Sequence, residues 1–299
     1  MYNNILATRI IPQKERIITV MDNRPIGFFD SGLGGLTCIP YLMEKLPEEK
    51  IIYFGDTART PYGSKAVRTI KSFSMEIADF LVKNHVKMIV IACNTVSATC
   101  VEDLRRRFPG VPVLGIIEPT AMYVASKCTE ENNIGIIGTK VTIGSRAYED
   151  SIHRYNRELE IYETPCPAFV PLIEEGIIEN DIMDLTIKYY MDDFLKDNSI
   201  DTVILGCTHY PLISGNIERL YPGIRIINPS SIIAGSIEQV LRDRDMLACG
   251  SDRHNVFYAS DLSENFVNMI DYIFRERDDD RKVRFLNFDL ERMEEDGHK

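Results

Sequence analysis

The amino-acid sequence predicts an α/β protein with mostly parallel sheets, and two observations support this prediction. Short apolar runs at residues 51–55, 88–92 and 202–205 are continuous rather than alternating, which is typical of strands buried on both faces. The runs end in small polar residues that suit a turn or the start of a helix. Strands that alternate with helices form a parallel sheet that is covered by helices.

The same order of elements occurs twice along the chain. In each half, a strand with a loop of small residues precedes a strand that ends in a cysteine. Asp30 and Thr139 lie in the two loops, and Cys93 and Cys207 follow them at nearly the same separation in sequence. Divergent duplication explains this order and predicts two pseudo-symmetric domains.

The chain of 299 residues is long enough for two domains. We expect two three-layer α/β domains with the active site in the cleft between them. Residues 22–118 and 230–299 are assigned to the first domain and residues 119–229 to the second. Residues 1–21 precede the first clear strand and are interpreted as an N-terminal extension.

The C-terminal part of the chain, from residue 246 onwards, carries weaker patterns. One run, residues 256–259, is typical of a strand. The charged run at residues 278–284 is interpreted as a solvated face or a frayed end. We therefore expect one strand in this part.

Composition argues against several classes of function. The formal net charge of -11 argues against a nucleic-acid partner, and no basic patch with interleaved aromatic residues offsets it. No apolar run approaches the ~20 residues that a membrane-spanning helix needs, so no membrane partner is expected. Residues 1–21 lack the apolar core of a signal peptide.

The cysteines indicate a reducing compartment. Their number is seven, and an odd number spread through a long chain fits the cytoplasm better than a disulfide framework. The chain has neither a C-x-x-C pair nor an H-E-x-x-H motif, so we expect no metal site. No sign of a pyridoxal cofactor is found either, and no cofactor is expected.

Cys93 is the first candidate for a reactive group. It follows an apolar run and precedes Asn94 and Thr95, so it lies at the carboxyl end of a strand, where open α/β sheets bind ligands. The positive end of the following helix would favour its thiolate form. A cysteine in such a place is more often a small buried side chain, and this alternative holds for Cys93 taken alone.

The loop at residues 30–35 is rich in glycine and is a second candidate. It lacks the Gly-Lys-Ser/Thr ending of a phosphate loop, and its spacing does not fit a dinucleotide fingerprint. Asp30 and Ser31 remain, at the end of a strand and beside backbone N–H groups that could hold a carboxylate. The loop at residues 56–64 is either a binding loop or a plain connection.

Two thiols in equivalent positions suggest a particular reaction. Acyl transfer, with His209 as the base for Cys207, leaves Cys93 idle and does not explain the repeat. On opposite faces of one carbon, a thiolate can remove a proton while a thiol returns one to the other face, which inverts the stereocentre. Asp30 and His209, each next to a thiol in the pattern, could shift protons or neutralise a substrate ammonium.

A proton α to a carboxylate is far less acidic than a thiol. The cleft must therefore be dry and must offer hydrogen-bond donors where charge develops in the transition state. Donors of the right kind are Ser31, Asn94, Thr95 and Thr208.

Five motifs in the same order resemble the signatures of the glutamate racemases. They are D-S-G-L-G-G at 30–35, Y-F-G-D-T-A-R-T-P-Y-G at 53–63, A-C-N-T-V-S-A at 92–98, V-P-L-I-E at 170–174 and G-C-T-H-Y-P-L at 206–212. The resemblance covers roughly residues 25–230, most of the chain. The wider aspartate/glutamate racemase superfamily shares the two cysteines, but the forms of the second and fifth motifs favour glutamate.

The resemblance implies a cofactor-independent racemase that supplies D-glutamate for peptidoglycan. Cys93 would then deprotonate D-glutamate and Cys207 L-glutamate, with Asp30 and His209 as assisting groups. Glu174 is implied near the ammonium, and Glu175 stays open as an alternative. The implied substrate contacts are Asp30, Ser31, Tyr62, Gly63, Asn94, Thr95, Thr208 and His209.

The resemblance also implies partners. Members of this family are often dimers, so we expect a homodimer. Extended N-termini occur in members that need a peptidoglycan-precursor activator, and such an activator is an open possibility here. Two alternatives remain for the function: racemisation of aspartate or another small amino acid, and a catalytically inactive relative that binds a partner protein.

Overall fold

The computed structural model describes residues 22–249, 255–273 and 281–285, with side chains up to residue 271. The expected N-terminal extension, residues 1–21, lies outside this part of the chain. The strands are β1 (Ile26–Asp30), β2 (Ile51–Gly55), β3 (Met88–Ile91), β4 (Val113–Gly115), β5 (Asn133–Gly138), β6 (Glu160–Pro165), β7 (Thr202–Gly206), β8 (Arg225–Ile227), β9 (Asn255–Ala259) and β10 (Arg281–Phe285).

The strands form two sheets in which neighbouring strands run parallel. The first sheet has the order β10-β9-β2-β1-β3-β4, and the second has the order β6-β5-β7-β8. This confirms the predicted α/β class with parallel sheets. Each sheet collects the strands of one proposed half, with β9 and β10 joining the first. The exact domain boundaries stay a prediction.

Helices connect the strands, as parallel pairing requires. They are α1 (Ile39–Lys45), α2 (Val67–Lys83), α3 (Asn94–Arg107), α4 (Ile117–Lys127), α5 (Lys140–Gly144), α6 (Ala147–Tyr155), α7 (Phe169–Glu174), α8 (Asp181–Asp197), α9 (Ser214–Leu220), α10 (Pro229–Asp243) and α11 (Glu264–Ile273). Short 3₁₀ turns lie in the loops at Gly34–Cys38, Thr57–Arg59, Tyr62–Ser64 and Tyr210–Ile213.

Three apolar clusters fill the spaces on the faces of the sheets. In β1, Phe28 packs into one cluster and its neighbour Phe29 into another, because successive side chains point to opposite faces. In β5, Ile136 joins the same cluster as Phe28, whereas Ile137 belongs to the third. One cluster is thus shared by a face of each sheet, which ties the two halves together. The continuous apolar runs in the sequence reflect this burial on both faces.

The charged run near the C-terminus differs from its prediction. Residues 281–285 form β10, which pairs in parallel with β9 at the edge of the first sheet. The interpretation of residues 278–284 as only a solvated face or a frayed end was therefore wrong for residues 281–284. Charged residues are common on edge strands, since part of an edge faces water, and they discourage pairing with other chains.

A buried ion pair anchors the start of β3. Lys87 and Glu49 are almost completely buried, with Nζ and Oε2 2.6 Å apart. The Lys87 ammonium also donates to the carbonyl oxygens of Asp22 and Met246, each at 2.7 Å. Glu49 Oε1 accepts a hydrogen bond from the backbone N–H of Ala248 at 2.8 Å. The pair and its hydrogen bonds therefore join four separate segments of the chain.

Replacing Lys87 by methionine is expected to destabilise the protein strongly. The Glu49 carboxylate would stay buried without its partner, and breaking a buried pair from one side costs about 3–5 kcal/mol. Denaturant unfolding at pH 7 measures this loss. The double variant Lys87→Met/Glu49→Leu is the control and should recover part of it. Equal losses in both variants would show that the unpaired charge is not the cause.

Candidate active site

The two candidate thiols lie where the repeat predicts them. Cys93 follows β3 and is the N-cap residue of α3, and Cys207 directly follows β7. Both lie at the carboxyl ends of parallel strands, and both are nearly buried, with exposures of 4% and 6%. The strands belong to different sheets, so the two cysteines come from the two sides of one cleft.

Hydrogen bonds between side chains join the two sides of the cleft. They run from Thr208 Oγ1 to Asp30 Oδ1 (3.2 Å), from Thr60 Oγ1 to Glu174 Oε1 (3.3 Å), from Tyr148 Oη to Asn94 Oδ1 (2.5 Å), and between the hydroxyls of Thr95 and Thr139 (3.0 Å). Most of these groups are buried. The cleft is therefore closed and largely shielded from water, as carbon-acid chemistry without a cofactor requires.

Cys93 is surrounded by Ser31 and Asp30. Its sulfur lies 3.5 Å from Ser31 Oγ. Burial raises the pKa of Cys93 well above its usual range, and the Asp30 carboxylate raises it further. The N–H of Val96, at the start of α3, opposes this shift but does not overcome it. The helix end thus favours the thiolate, as expected, but burial and Asp30 outweigh it, and Cys93 is a thiol at neutral pH.

Cys207 has a different partner. Its sulfur lies 3.9 Å from His209 Nδ1, and His209 Nε2 lies 3.1 Å from Glu174 Oε1. Burial lowers the pKa of His209, but Cys207 and Glu174 outweigh it and raise this pKa to about 10. His209 is thus a cation at neutral pH. The cation beside Cys207 and the carboxylate beside Cys93 make the two thiols chemically unlike.

Asp30 is fully buried at the end of β1. Its Oδ2 accepts a hydrogen bond from the N–H of Gly32 at 3.0 Å, and its Oδ1 accepts one from the Thr208 hydroxyl. Burial raises the pKa of Asp30, and the charge of His209 works against that shift. A carboxyl group held in this way, close to Cys93, is suited to exchange a proton with its surroundings.

The loop after β2 packs against the other side of the cleft. Tyr62 is buried, and its hydroxyl donates to Asp56, which also binds Arg59 Nε at 2.7 Å. Gly63 packs so closely against the other side of the cleft that a Cβ there would lie 2.4 Å from Thr139 Cβ. Because the Tyr62 hydroxyl is occupied, its backbone and that of Gly63 are what this loop can offer to a ligand.

Asn94 and Thr95 begin α3 directly after Cys93. Asn94 Oδ1 accepts the Tyr148 hydroxyl, whereas Asn94 Nδ2 is buried and has no hydrogen-bond partner among the described residues. Thr95 lies with Thr139 and Thr142 in a cluster of three buried hydroxyls, with oxygen separations of 3.0 to 3.3 Å. The Asn94 N–H₂ group is therefore a free donor for a small polar ligand.

Several residues near the site were not among the sequence candidates. Thr139 occupies the place in the second half that Asp30 has in the first, so the repeat held a signal that could have identified it. Thr60 lies in the loop at residues 56–64, which the sequence offered as a possible binding loop. Thr142 and Tyr148 carried no signal, because their contacts with α3 join segments far apart in the chain. Of the two glutamates left open, Glu174 contacts His209, and Glu175 is exposed.

Neither a metal site nor a membrane helix appears in the part of the chain that the structure describes. No group of three or more His, Cys, Asp or Glu side chains there could hold a metal ion. Among the same residues, every helix is too short or too polar to cross a bilayer. The seven cysteines are all free thiols.

Comparison with known proteins identifies related sequences. Residues 38–237 match the family model described as Asp/Glu/Hydantoin racemase. A glutamate racemase of Geobacter metallireducens is 41% identical over 248 residues, which are 82% of this chain and 91% of that protein. A glutamate racemase of Neisseria meningitidis is 44% identical over 246 residues, 81% and 90% of the two chains.

Solved structures with the same fold include enzymes with ligands. The glutamate racemase of Francisella tularensis in complex with D-glutamate superposes with a TM-score of 0.82 at 37% identity, covering 90% of this chain and 99% of that one. The Escherichia coli glutamate racemase in complex with L-glutamate and the activator UDP-MurNAc-ala gives 0.72 at 25% identity, covering 88% and 98%.

Proposed function

Because the chain belongs to the Asp/Glu/Hydantoin racemase family, we propose that it interconverts L- and D-glutamate with Cys93 and Cys207 as the two acid/base residues. The relatives that match most of its length are glutamate racemases, which supports glutamate as the substrate. The observation that carries the mechanism is the pair of buried thiols at equivalent strand ends on two sides of one closed cleft.

In the proposed reaction, one thiolate takes the α-proton of glutamate. The C–H bond breaks, an S–H bond forms, and the electron pair is delocalised into the α-carboxylate. The opposite thiol then gives its proton to the other face of the carbon and becomes the thiolate. Inversion results without any oxidant or cofactor, and the enzyme ends in the complementary protonation state.

The side chains beside Cys93 and Cys207 differ, so the two thiols are proposed to reach their reactive forms in different ways. His209, a cation held by Glu174, stabilises negative charge on Cys207. Cys93 is a thiol and therefore ready to donate, and Asp30 close to it is the group that can receive its proton. The resemblance to the glutamate racemases implies that Cys207 acts on L-glutamate and Cys93 on D-glutamate, and each direction would start from the opposite protonation state.

The low acidity of the α-proton demands stabilisation of the charge that develops on the carboxylate. Buried donors in this cleft are the free N–H₂ group of Asn94 and the hydroxyl of Ser31. The hydroxyls of Thr95 and Thr208 are bonded within the site and would donate to the substrate after a change of partner. Pre-oriented donors in a water-excluded site are commonly the largest contribution to such stabilisation. These groups, with the backbone at Tyr62 and Gly63, are proposed to bind glutamate.

A racemisation assay tests the proposed function. The protein is incubated separately with L-glutamate and L-aspartate, and the decay of optical activity is followed. We expect decay to zero with glutamate and little change with aspartate. Decay only with aspartate would support the alternative substrate, and no decay with either would favour a relative that binds a partner without catalysis.

We further propose a cellular setting for the enzyme. D-glutamate would serve peptidoglycan synthesis in the cytoplasm, which fits the seven free thiols. A homodimer, and activation by a peptidoglycan precursor such as the one bound to the Escherichia coli enzyme, are parts of this proposal. Adding UDP-MurNAc-ala to the racemisation assay tests the activation, and an unchanged rate would exclude it. Light scattering tests the homodimer, because it gives the mass of the assembly.

A further inference from the structure

We propose that Tyr148 is a positioning residue that fixes the orientation of the Asn94 side chain across the cleft. The inference rests on the proposed function, in which Asn94 binds a carboxylate of glutamate. Tyr148 lies on α6 in the second half of the chain, whereas Asn94 begins α3 in the first half. None of the sequence motifs contains Tyr148.

The geometry of the pair is specific. Tyr148 is fully buried, and its hydroxyl lies 2.5 Å from Asn94 Oδ1. Asn94 is 1% exposed, and its Nδ2 has no hydrogen-bond partner within the described ranges. Leaving a buried amide N–H₂ unpaired is costly, so such a group calls for an acceptor that the protein itself does not supply. A substrate carboxylate is an acceptor of this kind.

The chemistry of the two groups explains the orientation. A phenol at neutral pH has one O–H to donate, and burial raises the pKa of Tyr148, which keeps the phenol protonated. The phenol therefore selects the oxygen end of the amide and turns the nitrogen end towards the cleft. Its donation also polarises the amide, which strengthens the N–H₂ group as a donor.

The bond also links substrate binding to closure of the cleft. Tyr148 and Asn94 come from opposite sides, so the amide is held in this orientation only while α6 and α3 are in their present positions. Opening of the cleft would release the amide to rotate. Asn94 would thus be a competent donor in the closed form, where catalysis takes place.

Two variants test the orientation. In Tyr148→Phe, we expect kcat/KM for glutamate to fall about tenfold, the loss that corresponds to one hydrogen bond. The same change in an Asn94→Ala background should cause no further loss, which a purely structural role of Tyr148 would not predict. Tyr221→Phe, which removes a phenol hydrogen bond to Asp192 on the surface, is the control and should keep wild-type activity.

The second variant leaves Tyr148 unchanged. In Asn94→Asp, the Tyr148 hydroxyl donates to one oxygen of the new carboxylate. The other carboxylate oxygen then faces the cleft, where its charge repels the carboxylate of the substrate. We expect this variant to be less active than Asn94→Ala. If the amide nitrogen of Asn94 faced Tyr148 instead, an oxygen would face the cleft in both the wild type and Asn94→Asp. Asn94→Asp would then stay active. Wild-type activity of Asn94→Asp, or additive losses in the double variant, would overturn the proposal.

A spectroscopic measurement separates this inference from the proposed function. The Asn94 N–H₂ resonances, assigned by their loss in Asn94→Ala, should shift in Tyr148→Phe and stay in place in Tyr221→Phe. This readout needs no substrate and so holds even if the wild-type protein does not racemise glutamate. Unshifted resonances in Tyr148→Phe would overturn the role of Tyr148, whereas loss of glutamate activity in the wild type would overturn only the proposed function. Thermal unfolding shows that each variant is folded.

Discussion

Replacing either Cys93 or Cys207 by alanine is expected to abolish racemisation, with a loss of about 10³-fold or more in kcat. Each thiol serves one face of the α-carbon, so the remaining cysteine cannot complete an inversion. Optical activity of L-glutamate and of D-glutamate would then persist in both variants. Unchanged activity in either variant would rule out the two-base mechanism.

Hydrogen exchange sharpens this prediction. In D₂O, the Cys207→Ala variant retains Cys93 and should exchange the α-proton of D-glutamate while keeping its configuration. The Cys93→Ala variant should do the same with L-glutamate. Mass spectrometry of the recovered amino acid measures the incorporated deuterium. Exchange of the opposite enantiomer in each variant would reverse the assignment of the two thiols.

Cys100→Ala is the matched control for these variants. Cys100 is buried on α3, two turns from the site, and its thiol contacts the Thr99 hydroxyl rather than a candidate acid or base. Its replacement removes the same atom from the same helix. We expect activity close to that of the wild type, because the change leaves the cleft intact.

The second large effect is expected from His209→Gln. Loss of the cation beside Cys207 should lower kcat/KM by about 10²-fold, a typical contribution of one assisting acid/base group. The wild type should in addition lose activity at alkaline pH as His209 titrates near its pKa of about 10. The variant should lack this alkaline step. His153→Gln is the control, because this histidine lies outside the site and hydrogen-bonds to the Leu159 carbonyl oxygen at 3.0 Å.

Stability provides an independent check on the charge of His209. Its pKa in the folded protein is raised from the ordinary value of 6.5 to about 10, so the folded state binds the proton more tightly. The resulting stabilisation is complete below pH 6.5 and is lost as the pH rises through 10. Denaturant unfolding between pH 6 and 10 should show this decline in the wild type and a smaller one in His209→Gln. Equal slopes of the unfolding free energy against pH in the two proteins would contradict a protonated His209.

Much of the fold could be predicted because its signals are local. The runs that became β2, β3 and β7 are continuous and apolar because both faces of each strand are covered. The amphipathic spacing of the apolar residues in α2 (Val67–Lys83) is an equally local signal. β10 was missed because its charges match those of a solvated segment, and only pairing with β9 makes it a strand.

The site residues that lie in sequence motifs could be predicted, whereas those brought together only by tertiary contacts could not. The two cysteines and the residues next to them follow strand ends, which a sequence displays directly. The donation from Tyr148 to Asn94, and the cluster of Thr95, Thr139 and Thr142, join residues more than forty positions apart. No local pattern encodes such distances, because they result from the packing of one half on the other.

The sequence by itself determined the fold class, the two thiols and their neighbours, since periodicity and short motifs express those choices along the chain. Only the tertiary structure decided the protonation state of Cys93. The start of α3 favours a thiolate at Cys93, which is a local effect that the sequence reveals. Burial and the nearby Asp30 favour the thiol and prevail, because the free energy of removing a charge from water depends on everything packed around it.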